Sequence, residues 1–228
     1  MKKPITDILN TKENKIISIT GAGGKTTLMM DLAKKLQGKV LITTSTKIKT
    51  PKEGIHHLYI EEKGFQGPQE GITAIGNEIY PGKLGAISPE FLEKWGDEFD
   101  HIIIEADGCR NLPLKMWKKN EPVIYPKSDI VIGVFSIKVL GEQPSPKIMY
   151  YHEGLTQKFD IVNGEMFRYL IKNGLFRHFF NGRYVFINQT DNQEEREKAR
   201  ELIEEMKREI PEIHYFYGSA KEGIYHED

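Results

Sequence analysis

A run of β-branched residues that breaks into glycines and then into Lys-Thr-Thr constrains this chain more than any other feature. Residues 16–27 read Ile-Ile-Ser-Ile-Thr-Gly-Ala-Gly-Gly-Lys-Thr-Thr, and good helix formers follow from Leu28 to Leu36. The order is a strand, a tight loop and a helix N-terminus. A strand of this kind is covered on both faces, so the chain has to build an α/β core around it. The glycines let the backbone curl so that several N–H groups converge, and the helix dipole adds partial positive charge at the same point. Gly21, Ala22, Gly23, Gly24, Lys25, Thr26 and Thr27 are therefore the expected nucleotide-binding residues. Lys25 is set to reach the β- and γ-phosphates, and the Thr26 hydroxyl to ligate Mg²⁺. The loop is shorter than the standard pattern, whose first glycine would fall at Ile19.

The rest of the chain alternates short apolar runs with helical patterns. Strands are expected at Lys15–Thr20, Lys39–Thr44, His101–Ala106, Asp129–Phe135, Arg183–Asn188 and Ile213–Tyr217. Helices are expected at Thr26–Gln37, Pro89–Trp95, Glu165–Asn173 and Gln193–Glu209. Such alternation predicts a three-layer α/β fold, a mostly parallel sheet flanked by helices and joined by right-handed crossovers. The Arg, Lys and Glu pattern from Glu194 to Glu209 reads as a solvated helix face. Two regions fit the alternation poorly. Gly54–Gly85 is glycine-rich and is expected to form an edge hairpin, while Asn111–Lys127 carries no long regular element. No linker or repeat divides the chain, so one nucleotide-binding domain is expected over residues 1–228.

The segment His101-Ile-Ile-Ile-Glu-Ala-Asp-Gly108 is a buried strand ending in two carboxylates. Acids at the end of such a strand hold Mg²⁺ or orient an attacking water in nucleoside triphosphatases. Lys25, Glu105 and Asp107 are therefore the candidate catalytic residues, with Glu105 also a metal ligand beside Thr26. The second strand ends in Thr43-Thr-Ser-Thr-Lys47. Thr44 is a further candidate for the metal, and Lys47 for transferring oxygens. Arg110 and Lys115, in the basic stretch that leaves the acidic strand, are candidate contacts to an anionic second substrate. Cys109 has no neighbouring His to activate it and is read as packing.

Charge and composition exclude several function classes. Lys plus Arg (32) and Asp plus Glu (33) nearly cancel, so no global field recruits nucleic acid or a membrane. No apolar run reaches transmembrane length. The single cysteine suits a reducing, cytoplasmic compartment. His56, His57 and His152 sit at no recognisable ligand spacing, and no transition-metal site is expected.

The short glycine loop resembles that of Mur-type ligases. Asn188-Gln-Thr-Asp191 is similar to the Asn-Lys-x-Asp motif with which GTPases read guanine, Gln189 replacing the Lys. Gly218-Ser-Ala-Lys221 resembles the Ser-Ala-Lys loop that completes such sites. Asn188 and Asp191 are therefore candidate base contacts, with ATP or GTP as the nucleotide. Four pieces resemble the YqeC family: Ile-Thr-Gly-Ala-Gly-Gly-Lys-Thr-Thr, Ile-Thr-Thr-Ser-Thr-Lys-Ile, Glu-Ala-Asp-Gly-Cys-Arg-Asn-Leu-Pro-Leu-Lys and Asn-Glu-Pro-Val-Ile-Tyr-Pro. These are accessory proteins of selenium-dependent molybdenum hydroxylases. The resemblance implies a P-loop NTPase fold with Mg²⁺, a role in preparing a selenium- or molybdenum-containing cofactor, and a molybdenum hydroxylase or cofactor-maturation protein as partner. Where the family carries a His-Arg pair this chain reads His152-Glu153, and Cys109 stands where Ala or Ser is expected. Two activities follow as expectations. One is a Mg²⁺-dependent NTPase or phosphotransferase. The other is a non-catalytic or slowly hydrolysing GTPase-like switch or metallochaperone that docks on an apo-hydroxylase, with residues 43–47 and 107–119 as moving parts.

Overall fold

Apolar runs with no polar alternation need cover on both faces, and one large sheet supplies it. The computed structural model describes residues 1–51, 54–151 and 154–227, together with Glu53. His152 and Glu153, singled out above, lie outside the described residues. In chain order the strands are β1 (Ile16–Gly21), β2 (Lys39–Thr44), β3 (Lys47–Lys49), β4 (His57–Tyr59), β5 (Gly71–Ile75), β6 (Asn77–Tyr80) and β7 (Lys83–Gly85). They continue with β8 (His101–Glu105), β9 (Leu114–Lys115), β10 (Ile130–Ser136), β11 (Met149–Tyr150), β12 (Arg183–Asn188), β13 (His214–Ser219) and β14 (Ile224–Glu227). The α-helices are α1 (Ile5–Ile8), α2 (Lys25–Lys35), α3 (Pro89–Trp95), α4 (Gly164–Leu170) and α5 (Gln193–Glu209).

The main sheet has nine strands in the order β14-β13-β12-β10-β1-β8-β2-β5-β4. Every neighbouring pair is parallel except β13 and β14, which close one edge as an antiparallel pair. Ile17 of β1 stands in register with Ile130 of β10 on one side and Ile103 of β8 on the other. Because side chains alternate along a strand, each strand feeds two cores. Ile17, Ile19, Ile103 and Ile132 pack with Leu28, Met29 and Leu32 of α2 on one face. On the other face, Val131, Phe135, Val185 and Ile187 meet Phe167 and Leu170 of α4 and Leu202, Ile203 and Met206 of α5. Leu41, Ile102 and Ile104 meet Phe91 and Leu92 of α3 there. Full burial of one such side chain contributes about 1.5–3 kcal/mol, so α2 is fixed to the sheet by its packing. The result is the expected three-layer α/β fold of the P-loop NTPase-like kind. Among the described residues no helix is long and apolar enough to cross a membrane.

Gly54–Gly85 departs from the expected single hairpin. It supplies two parallel edge strands, β4 and β5, because Ile72, Ala74 and Ile75 are apolar enough to be covered on both faces. It then forms a hairpin, β6–β7, whose turn contains Gly82 at φ +84°. That hairpin pairs with β3 as a separate three-stranded sheet, β3-β7-β6. The helix expected over Glu165–Asn173 leaves α-geometry after Leu170 and continues as a π-helical turn over Ile171–Leu175. There Gly174 lies against the Trp117 ring, where an added Cβ would collide.

Candidate functional site

After β1 the chain crosses to β2 on one side of it, and β10 later takes its place on the other side. This makes the carboxyl end of β1 the switch point of the sheet, the crevice where open parallel sheets take ligands. The glycine loop lies there. Gly21 has φ +94° and Gly24 φ +117°. A Cβ at Gly21 would strike the Val134 carbonyl, and one at Gly24 the Asn188 side-chain amide, so this path admits only glycine. The loop is tied on both sides: the Ala22 N–H donates to Val134 O (3.0 Å) and the Gly21 N–H to Asp107 Oδ2 (3.0 Å). Gly24 then begins α2 with no side-chain cap, leaving first-turn N–H groups for an anion.

Four charged groups are packed beneath the loop. Lys25 is 2% exposed. Its ammonium donates to Gly21 O (2.7 Å) and lies 3.1 Å from Asp107 Oδ1 and 3.8 Å from Glu105 Oε1. Burial alone would lower its pKa, but the Asp107 and Glu105 carboxylates outweigh burial and hold it above the ordinary lysine value. Glu105 is pushed above the usual carboxylate range by burial, opposed by Lys25 and by the hydrogen bond from Thr26. The Thr26 hydroxyl donates to Glu105 Oε2 at 2.9 Å. A first-turn hydroxyl and a strand-end carboxylate therefore share one point in space. Among the described residues no group of three or more His, Cys, Asp or Glu could hold a metal. These two donors instead suit a hard cation that completes its shell with phosphate oxygens and water.

A cleft of about 1,060 Å³ opens over this cluster, lined by Gly23 to Thr27 and Glu105 on one part of its wall and by Lys47, Lys49, Lys83, Arg110 and Tyr150 on others. Lys47 and Arg110, expected at a second substrate, do line it. Several other expected contacts are placed differently. Lys115 is fully buried and does not reach the cleft. It donates to Gly108 O (2.8 Å) and Glu121 Oε2 (3.0 Å) and stands 3.3 Å from Asp107 Oδ2. Asp107, expected to orient water, is itself wholly buried, and both its oxygens are engaged, Oδ2 also accepting from the Trp117 indole. It braces the loop and the Lys25 ammonium. Thr44, expected at the metal, donates to Glu105 O (2.8 Å) and accepts from the Thr46 N–H (3.0 Å), so it positions the acidic strand end.

The two short motifs near the C-terminus meet in space. The Asn188 amide donates to Gly23 O (2.8 Å), and its oxygen accepts from the Ala220 N–H (3.0 Å). Asp191 Oδ1 accepts from the Ser219 hydroxyl (2.8 Å), while Oδ2 lies 3.3 Å from the Lys138 ammonium. Asn188 therefore links the glycine loop to the Ser219-Ala220 turn. Gln189 lines the cleft from a left-handed backbone (φ +67°), accepting from the Ser136 hydroxyl. Sequence reasoning missed Trp117, Lys49, Lys83, Tyr80 and Tyr150. None carries a motif, and only strand pairing brings them to the cleft or its supporting cluster.

Comparison with known proteins adds a family. The chain matches the YqeC protein family over residues 17–153, a span that contains the loop, Glu105, Asp107 and the cleft lysines but not Asn188 or Asp191. It is 33% identical over 152 residues to the uncharacterized protein YqeC of Escherichia coli (strain K12). The match covers 62% of this chain and 59% of that protein, so the chain spans about three fifths of the curated relative's length.

Proposed function

The chain belongs to the YqeC family, and we propose that it binds a nucleoside triphosphate with Mg²⁺ at the carboxyl end of β1 and hydrolyses it or transfers its γ-phosphoryl group. One observation carries this reading: the 2.9 Å contact between Thr26 and Glu105 beside the Lys25 ammonium, at a helix N-terminus without a side-chain cap. Thr26 and Glu105 would hold Mg²⁺, which when bound neutralises charge on the β- and γ-phosphate oxygens. The uncapped N–H groups of the first turn of α2 receive phosphate oxygens. Lys25 stabilises the negative charge of the transferring group. Asp107, out of reach of the cleft, keeps Gly21 and Lys25 in place for that task.

A base site beside the loop is part of the proposal. Asp191 presents a carboxylate anchored by Ser219, and a carboxylate only accepts hydrogen bonds. Guanine offers two adjacent ring-edge donors to such an acceptor and adenine does not, which favours GTP over ATP. Family resemblance extends the proposal to preparing or inserting the selenium- or molybdenum-containing cofactor of a hydroxylase.

The slowly hydrolysing switch is supported by an observation of its own. The two carboxylates lining the cleft, Glu105 and Glu121, are tied to Thr26 and Lys115, which leaves no unengaged acid among the described lining residues to activate water. The test is a thermal-shift panel of ATP, GTP and CTP with and without Mg²⁺, since a ligand of the folded state raises apparent stability. GTP with Mg²⁺ is expected to shift the wild type most and to leave Lys25→Ala unmoved; an equal shift in that variant overturns the site. Phosphate release that stays near zero until a molybdenum hydroxylase is added selects the switch. Steady release with a small acceptor selects the enzyme.

A further inference from the structure

The cleft is wider than the phosphate loop, and its remaining wall carries cations that the nucleotide reading does not use. β3 begins at Lys47, directly after the Thr44 end of β2, so the small sheet β3-β7-β6 stands at the carboxyl edge of the main sheet. In its register Lys49 is paired directly with Lys83, and Lys83 with Tyr80. Alternation along β3 puts Lys47 on the same face as Lys49, and all four residues line the cleft. Two lysines directly opposite each other on one face repel, a pairing that sheets ordinarily avoid. Among the described residues no side-chain ion pair or hydrogen bond holds the ammonium of Lys47, Lys49 or Lys83, whose backbones pair in the small sheet. Arg110, held in a left-handed backbone (φ +52°), brings a fourth cation to the cleft, its guanidinium 5.1 Å from the Tyr150 ring centre. The two lining carboxylates are already engaged by Thr26, Lys25 and Lys115. The β3–β7 side of the cleft is thus a platform of positive charge with no carboxylate in ion-pair contact among the described residues, Lys83 acting on Glu105 only from beyond that distance. Tyr80, 57% exposed, adds a ring that no other described aromatic residue stacks on.

We propose that this platform is the binding site of a second substrate, a small phosphorylated molecule with a planar ring, whose phosphate is held by Lys47, Lys49, Lys83 and Arg110 and whose ring lies on Tyr80. The assignment rests on the reading of the glycine loop as the nucleotide site, since it makes the platform the place of the second molecule in the same cleft. Repulsion between Lys49 and Lys83 is relieved when an anion bridges them. Planarity is selected because an aromatic face gains most from offset stacking with another ring. The ring also separates this ligand from inorganic phosphate, which the cations alone would hold.

The probe is phenyl phosphate, titrated calorimetrically into the full chain with the loop saturated by Mg²⁺ and a non-hydrolysable GTP analogue. Phenyl phosphate is expected to bind the loaded protein. The double variant Lys49→Gln, Lys83→Gln is expected to bind it about tenfold or more weakly, the equivalent of one charge-assisted contact, whereas Lys49→Arg, Lys83→Arg retains binding. Tyr80→Ala should weaken phenyl phosphate and leave inorganic phosphate unaffected. Displacement of phenyl phosphate by the GTP analogue, or equal affinity in the wild type and the Gln variant, overturns the proposal. If the analogue does not bind at all, the nucleotide reading fails, and the same titrations on the unloaded protein still decide the platform.

Discussion

Lys25 and Lys49 line one cleft and stand at opposite extremes of how a protein handles a positive charge. Lys25 is 2% exposed, held by the Gly21 carbonyl and by the Asp107 and Glu105 carboxylates. Asp107 in turn engages Lys115 and the Trp117 indole. Lys49 is exposed, faces Lys83 across the strand pair, and among the described residues forms no ion pair with a carboxylate. A buried charge survives only when its neighbours replace water, so those neighbours set its position. An exposed charge is solvated already and is free to exchange water for a ligand. The glycine-loop side is already held together by its own contacts. The β3–β7 side would be completed by the proposed second ligand.

Removing a buried partner should therefore cost stability and function together, while removing a platform lysine should cost function alone. The largest effect is expected from Lys25→Ala, which strands two buried carboxylates. It should lower unfolding free energy by about 3–5 kcal/mol in urea titration and abolish nucleotide binding. Asp107→Asn comes next: it weakens the hold on Lys25 and Lys115 together and should cost about 3 kcal/mol, with faster hydrogen exchange at the Gly21 amide. Asn188→Ala removes the link between Gly23 and Ala220. A loss of about 1–3 kcal/mol is expected, with weaker nucleotide affinity read by fluorescence titration.

The acid limb of Mg²⁺ dependence gives a finer test. Glu105 holds a cation only when deprotonated, and burial raises its pKa. Affinity for Mg²⁺-nucleotide should thus fall as pH is lowered, beginning above the ordinary glutamate value of about 4.3. Below the Glu105 pKa the fall should approach about tenfold per pH unit. Stability moves with the opposite sign: a raised carboxyl pKa favours the fold at low pH, and that contribution is lost as pH rises through the Glu105 value. Glu105→Gln should flatten both dependences, and a pH profile identical to wild type would remove Glu105 from the metal. The smallest effect is that of Lys49→Gln. Relief of repulsion with Lys83 should raise stability slightly, within about 0.5 kcal/mol. A loss comparable to that of Lys25→Ala would erase the contrast between the two sides.

Legibility in the sequence followed the range of the interaction. The glycine loop was readable because Gly21 and Gly24 need backbone angles that neighbouring residues already advertise. The buried strands were readable because Ile and Val without alternation occur where both faces are covered. Lys115 and Lys47 looked alike as basic residues near the site, yet one is sealed between Asp107 and Glu121 and the other lines the cleft. Nothing local separates them. The Asn188 and Asp191 motif was visible only as a short resemblance; the contacts to Gly23, Ser219 and Ala220 that give it a place come from three separate segments.

By itself the sequence determined the α/β class, the glycine loop with its lysine and threonines, and the acidic strand end, all of them encoded in adjacent residues by backbone preference and periodicity. Only the tertiary structure decided which charges are neutralised and which are left exposed. It turned Asp107 inward to brace the loop, buried Lys115, and set Lys49 opposite Lys83. The physical reason is that neutralising a charge depends on distance through space, and the pairing of β1 with β8 and of β3 with β7 sets those distances for residues far apart along the chain.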